Sequence, residues 1–439
     1  MQFELSLNNF RGFKSTSFVP IRPLTLLVGE NSAGKSSFLA SLQYYLDFFG
    51  GFNPASFNSD PFQLGTFQQI AHYRGGKAGR ARSFDISVRG YPRRSSDGMH
   101  PSEMTITLCF ENIDSEAEVR SIRASSQGHA IVLLASANEV SLQLSREGQE
   151  QVRIDFGGPK IFPRRRGAGR IIGSILTELE FYLKYRAQQP PTDDLNIREA
   201  VRLSRLAGTL IRAMQGEHEA TSAIRTKPLR TYTPGVTVKD GQGSHVPFEL
   251  ASLYRAKNKD AWLNLKRSID SFGRDSEMFK ELNIKSFGSS ISDPFQLQFS
   301  LDGPKMNIVD LGYGTSQVLP ILHMISSASK NARFLIQQPE VHLHPRAQAA
   351  LGAFFVKAYK SNQVNLVIET HSDFIIDRIR NAIMEGQLKP DEISLLFFER
   401  KKLDNTITHI NLGDDGSPID APESYRTFFI DEQMKLLGI

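Results

Sequence analysis

Leu24-Thr25-Leu26-Leu27-Val28-Gly29-Glu30-Asn31-Ser32-Ala33-Gly34-Lys35-Ser36-Ser37-Phe38-Leu39 decides how this chain is read. The apolar run Leu24 to Val28 has the length and composition of a buried strand. Gly29 to Ser36 then satisfies the pattern G-x-x-x-x-G-K-[ST] in full. Glycines in such a loop let successive main-chain N–H groups turn inward around phosphate oxygens, a lysine reaches the outer phosphates, and a hydroxyl ligates a divalent cation. Residues 36–49, SSFLASLQYYLDFF, carry apolar side chains at helical spacing, so the order is strand, loop, helix. The helix adds its positive N-terminal end to the same place. ATP with Mg²⁺ is therefore expected here. Asn31, Ser32, Ala33, Gly34, Lys35, Ser36 and Ser37 are its candidate contacts, and Ser36 is also a metal ligand.

Outward from this loop, FELSL at 3–7 and SFVPI at 17–21 alternate as strands around a polar turn at Asn8 and Asn9. Strand-like alternation returns in SFDISV, MTITLCF, AIVLLA, VSLQL and VRIDF between 83 and 156, which predicts an antiparallel β-subdomain. Helical spacing then takes over at 171–185 and 196–214, with the breaker QQPPTDD between them; neither run sustains heptads long enough for a long coiled coil. The last third reads as βα alternation. ARFLIQ is followed by a helix from Pro345 and VNLVIE by a helix from Ser372, with SLLFFER and TITHINL closing the series. The expected fold class is α/β, a split core of a P-loop sheet and an antiparallel β-subdomain with a mainly helical insertion. The expected domains are 1–160, 161–300 and 301–439.

Composition adds bounds. At 439 residues, 40% hydrophobic and 23% charged, the chain can bury a large core. No stretch approaches the roughly 18 apolar residues of a membrane span, and polar residues interrupt the N-terminus at once, so a cytoplasmic protein away from membranes is expected. The sole cysteine, Cys109, excludes an intramolecular disulfide and is expected as a buried apolar residue. The formal charge of +5 permits an acidic partner without demanding one. Lys160, Arg164, Arg165, Arg166 and Arg170 form the sharpest basic cluster, either a solvated loop or a contact for nucleic acid or an acidic protein.

Residues 7–39, LNNFRGFKSTSFVPIRPLTLLVGENSAGKSSFL, resemble the opening of RecF-like and OLD-like ATPases, a branch of the ABC/SMC superfamily; Phe10 and Arg11 are part of the likeness. In the same order, LGYGTSQVLPI at 311–321 resembles the signature helix, FLIQQPEVHLHP at 334–345 the Walker B strand and D-loop, and IETHS at 368–372 the switch histidine. The resemblance implies two ATP molecules held head to tail between two copies. Gly314 and Ser316 would meet the γ-phosphate bound by the partner, and His371 would sense it. Gln68, with Gln69 as its neighbour, stands nearest to the metal-contacting glutamine that follows the first helix. His342 and His344 fit the D-loop better than a metal pair.

The departure is at Gln337-Gln338, where that superfamily carries two acids. Glutamine hydrogen-bonds but neither supplies negative charge nor takes a proton. Gln338 occupies the position that polarises the attacking water, and Glu340 or Glu369 would have to supply the missing carboxylate. Binding is thus the firmer expectation and hydrolysis, if present, is slow or disabled. The absence of long coiled-coil arms argues against DNA clamping by arms, and the chain is expected to carry no nuclease of the TOPRIM kind. By resemblance it is like ATPase subunits of bacterial anti-phage systems such as Septu and PARIS. It would form a homodimer or higher homo-oligomer controlling a separately encoded effector, a nuclease or toxin. A RecF-like repair protein that binds DNA when ATP-bound, and a non-hydrolysing ATP-bound scaffold, are the alternatives.

Overall fold

The computed structural model describes residues 3–50, 55–91, 103–135, 139–146, 149–157, 194–235, 238–425 and 427. The basic cluster at 160–170 and the helix expected at 171–185 lie outside the described residues. The chain divides into two compact units, one of Met1–Ile21, Glu30–Gly216 and Phe398–Thr408, the other of Arg22–Gly29, Glu217–Phe397 and His409–Ile439.

In the first unit, β1 (Phe3–Phe10), β2 (Phe13–Ser15) and β3 (Val19–Ile21) lead, after β4 (Leu24–Gly29), to a run of six strands. These are β5 (Ser83–Gly90), β6 (Met104–Ile113), β7 (Glu116–Ser126), β8 (His129–Ala135), β9 (Glu139–Arg146) and β10 (Gln149–Gly157). They form one sheet in the order β10-β9-β8-β7-β6-β5-β1-β2, with β3 also paired to β1. Every pairing in it is antiparallel. The sheet is the expected β-subdomain, and period-2 alternation explains its faces: β5 buries Phe84, Ile86 and Val88, and β6 buries Met104, Ile106, Leu108 and Phe110. Cys109, between Leu108 and Phe110, therefore falls on the opposite face and is half-buried, not a fully buried apolar residue. Burial, with Asp85 and Glu111 beside it, pushes its thiol up to about 12.

Helix α1 (Lys35–Gly50) is apolar nearly all round and buried along its length, from Phe38 to Phe49. Tyr44 stacks on Phe57 at 4.2 Å between ring centroids, and Phe84 on Phe110 at 4.6 Å. Each such pair contributes about 1 kcal/mol beyond the area it buries. Helices α2 (Phe67–Ile70) and α3 (Asp194–Met214) complete the unit, α3 covering the expected run at 196–214.

β4 lies in a second sheet with β11 (His218–Thr221), β15 (Arg333–Gln337), β16 (Asn365–Glu369), β17 (Ile393–Lys401), β18 (Asp404–Leu412) and β19 (Pro418–Ile419), in the order β11-β15-β16-β4-β17-β18-β19. From β11 to β4 all pairings are parallel. Parallel strands are buried on both faces, which is why β4 reads as the continuous run LTLLV. Around it lie α4 (Val246–Arg255), α5 (Asp260–Asp275), α6 (Tyr313–Ser326), α7 (Pro345–Asn362) and α8 (Asp373–Met384). A small antiparallel sheet of β12 (Glu281–Ser286), β13 (Phe295–Ser300) and β14 (Met306–Asn307) sits among the helices, in a stretch for which sequence reading named no strands. Its signal was present, since FQLQFS alternates buried and half-buried side chains perfectly. Among the described residues no helix is long and apolar enough to cross a membrane.

Candidate functional site

The glycine-rich loop follows β4 directly. Ser32 adopts φ 61° and Gly34 φ 97°, positive values on either side of Ala33, whose N–H donates to Glu30 O over 3.4 Å; such alternation is the backbone geometry of anion-binding loops. Ala33 is fully buried beneath, while Asn31, Ser32 and Ser36 are exposed. A Cβ on Gly34 would lie 2.6 Å from Phe13 Cζ and 2.8 Å from Asn405 Nδ2, so no other residue fits. Lys35 opens α1 and is only 3% exposed; its ammonium donates to the Glu30 carbonyl over 2.7 Å, bridging the two ends of the loop. Phe38 N–H donates to Gly34 O over 2.9 Å, closing the first helical turn. A loop of this geometry, a lysine held across it, an exposed hydroxyl at Ser36 and a helix N-terminus form a donor set that fits a polyphosphate with its Mg²⁺.

Of the paired glutamines on α2, Gln69 is engaged locally, its Oε1 accepting Thr66 N–H over 2.8 Å and its carbonyl accepting Arg11 Nη1 over 3.1 Å. Gln68 is exposed, as is Gln69.

In the second unit the strand ends line up: Gln337 pairs with Glu369, and Glu369 with Leu27, two residues before Gly29. Carboxyl ends of parallel strands are where α/β folds place their ligands. Gln338 turns out of β15 at φ 38°, with its N–H donating to Glu369 O over 2.8 Å. A non-glycine residue held at positive φ is a local strain concentrated at this corner. Two residues on, both Glu340 oxygens are engaged: Oε1 accepts His371 N–H over 2.7 Å and Oε2 accepts Thr370 Oγ1 over 2.9 Å. Burial raises the Glu340 carboxyl above its ordinary range, against the opposing pull of those hydrogen bonds and of Arg225. Glu340 thus straps the corner after β15 to the histidine after β16. His371 directly precedes Ser372, whose Oγ caps α8 by accepting Ile375 N–H over 3.2 Å.

Sequence reading missed Arg225, which is 2% exposed. The chain leaves β11 beside Ile336, and the turn that follows is sewn to the end of β15: Ala223 N–H donates to Gln337 Oε1 over 3.2 Å, and Arg225 Nη2 to Gln337 O over 2.8 Å. Arg225 N–H donates to Oε1 of Gln317, a buried residue of α6, over 3.3 Å. Burial pulls its guanidinium down to about 10, with the Glu340 carboxylate acting the other way. No motif marks this arginine, because its position depends on a strand pairing between distant segments.

On α6, Gly312 is the N-cap and makes no side-chain capping bond. Gly314 has a packing reason of its own: a Cβ there would stand 2.5 Å from His342 O. Ser316 is 6% exposed and its hydroxyl donates to Tyr313 O over 2.7 Å. His342 is exposed with its ring edge-on to Tyr313 at 4.9 Å, and His344 caps α7, its Nδ1 accepting Ala347 N–H over 3.4 Å. No cluster of three or more metal-ligating side chains occurs among the described residues.

Residues 4–166 match a family model described as an AAA domain, and residues 244–376 one described as an AAA ATPase domain. Over 153 residues the chain is 28% identical to the DNA replication and repair protein RecF of Idiomarina loihiensis, a stretch covering 35% of this chain and 37% of that protein. The match thus spans well under half the length of this relative. Among solved structures the chain is similar to an Smc head bound to the C-winged helix domain of ScpA, at 10% identity and a TM-score of 0.47, covering 93% of this chain and 98% of that one. It is also similar to the SMC head domain from Thermotoga maritima, at 8% identity and a TM-score of 0.41, covering 94% of this chain and 100% of that one. The glycine-rich loop, the parallel sheet whose β4 leads into it and the two matched segments give this chain a P-loop α/β fold similar to AAA ATPase domains.

Proposed function

We propose that this chain binds ATP with Mg²⁺ and works as a nucleotide-gated subunit that pairs head to tail with a second copy. The observation that carries the reading is the loop around Lys35, whose left-handed Ser32 and Gly34 and cross-loop ammonium prepare a phosphate cradle. Asn31 to Ser37 bind the phosphates and Ser36, with Gln68, faces the metal. Gly314 and Ser316, at the uncapped start of α6, cover the phosphates held by the other copy. Bound ATP–Mg²⁺ supplies the γ-phosphate that both copies read. His371 reports its presence, and Glu340 carries that report to the end of β15 through the His371 N–H bond. Gln338 orients water without taking its proton, so release of phosphate is slow.

A subunit that holds ATP for long periods suits control of a separately encoded effector, a nuclease or toxin, and anti-phage defence is the setting that the sequence resemblance favours. A second reading, ATP-dependent DNA binding, is favoured by the likeness to RecF and by the net charge of +5. The two separate in one experiment. The mass in solution is measured with and without ATP–Mg²⁺, for the wild type and for Lys35→Ala, together with duplex DNA binding at two salt concentrations. ATP-dependent dimers that ignore DNA support the first reading. DNA binding that needs ATP and falls steeply with salt supports the second. A monomer indifferent to nucleotide sinks both.

A further inference from the structure

Away from the phosphate loop, the C-terminal half of α6 lines a second cavity of about 190 Å³, whose walls all belong to the unit of the parallel sheet. Glu217, Glu219, Asp240 and Glu249 bring four carboxylates to it against the single ammonium of Lys239, and His245 and His323 complete the polar wall. The pairs already made leave the cavity acidic. Lys239 Nζ lies 2.6 Å from Glu219 Oε2. Glu217 Oε2 accepts Ser329 N–H over 3.3 Å and the Ser329 hydroxyl over 2.5 Å. Asp240 accepts the N–H of Ser244 over 3.0 Å and its hydroxyl. Although burial pushes the Asp240 carboxyl up, these hydrogen bonds carry it below its usual range, so it stays ionised. Glu249, in the first turn of α4, keeps a side chain that is 47% exposed.

A second observation points into the same space. His323 is only 4% exposed, and its Nε2 has no hydrogen-bond partner among the described residues. Glu249 Oε2 stands 3.4 Å away but out of line for a bond. A buried polar nitrogen ordinarily finds a partner. Burial, with His245 and Lys239 beside it, pulls the imidazole down to about 4, so at neutral pH it is uncharged and one ring nitrogen is free to accept. A bare metal ion does not suit the place, because no three ligating side chains converge among the described residues. The volume also exceeds that of several waters, at roughly 30 Å³ each.

We propose that this cavity binds a small aliphatic diamine, one ammonium seated between His323 Nε2 and Glu249 and the other facing the remaining carboxylates. An ammonium offers three donors and a compact positive charge, which answers both the unpartnered imidazole and the acidic wall. Its occupant ties α6 to α4 near the end of α6 away from Gly314, so the site regulates the same helix whose start covers nucleotide in the proposed dimer. Binding itself does not depend on that reading.

The test is calorimetric titration of the full chain with 1,4-diaminobutane at constant ionic strength, with thermal denaturation alongside. One saturable site is expected, weakened about tenfold in Glu249→Gln and in His323→Gln, and unchanged in Asp302→Asn, which removes an exposed acid elsewhere. Glu249→Gln keeps the test decisive if the buried histidine variant fails to fold. Three results overturn the proposal: no saturable heat, equal weakening in Asp302→Asn, or butylamine binding as tightly as the diamine.

Discussion

Oε1 of Glu340 accepts the main-chain N–H of His371 over 2.7 Å, and the same carboxylate holds the Thr370 hydroxyl, so one side chain joins the corner after β15 to the Thr370-His371 corner after β16. Removing it in Glu340→Ala leaves two donors unpaired and costs about 2 kcal/mol in chemical denaturation. Because burial raises this carboxyl, its protonated form is favoured in the fold. Its contribution is complete below the ordinary glutamate range and declines as pH rises through the raised value. Wild type should therefore lose stability relative to Glu340→Gln across that rise, and parallel pH profiles for the two would refute the assignment.

The glutamine pair gives a gain-of-function prediction. Under the proposed function Gln338→Glu puts a proton acceptor at the residue that orients water, and phosphate release should rise about a hundredfold. Gln337→Asp has a separate cost. The shorter side chain gives up the 3.2 Å bond from Ala223 N–H, which should lower stability by about 1 kcal/mol whatever it does to turnover. A Gln338→Glu rate equal to wild type would place the limiting step elsewhere.

Gly314 tests packing against ligand contact. The Cβ of Gly314→Ala meets the His342 carbonyl at 2.5 Å, and the backbone on both sides must move. A loss of about 1–3 kcal/mol is expected in nucleotide-free protein. Unchanged melting with lost dimerisation would mean that the glycine serves the partner's phosphate alone.

His323 sets an acid limit. Its folded value, about 4, lies below the ordinary 6.5, so the neutral ring contributes stability that is present above 6.5 and lost as pH falls toward 4. At 4% exposure the full effect is about 3 kcal/mol. Melting followed from neutral to acidic buffer should fall less steeply in His323→Gln than in wild type.

Strand, loop and helix around Lys35 were legible because each is local: a buried apolar run, a glycine pattern and a helical period follow one another without interruption. The β-subdomain was legible for the same reason, strand by strand. Its faces were less so, and Cys109 shows why: apolar neighbours suggested burial, but alternation set the cysteine on the other side. Arg225 was invisible, since nothing in its surroundings at 222–228 announces that β11 will pair with β15 and deliver it to Gln337. Glu340 was seen as a spare carboxylate. Its two hydrogen bonds, to residues thirty positions on, turn it into a strap, a role that proximity in sequence does not reveal.

The place of β4 in its sheet carries one more consequence. Its neighbours are β16 and β17, so a strand made among the first thirty residues has no lateral partner until residues near 365 to 397 exist. Closing so long a chain segment is slow and entropically costly. During synthesis the glycine loop therefore emerges long before the strand that anchors it can be seated, and a nascent chain carries the written motif without a working cradle. Under the proposed function, competence to hold nucleotide becomes a late event in the molecule's making, reached only when β16 and β17 are in place.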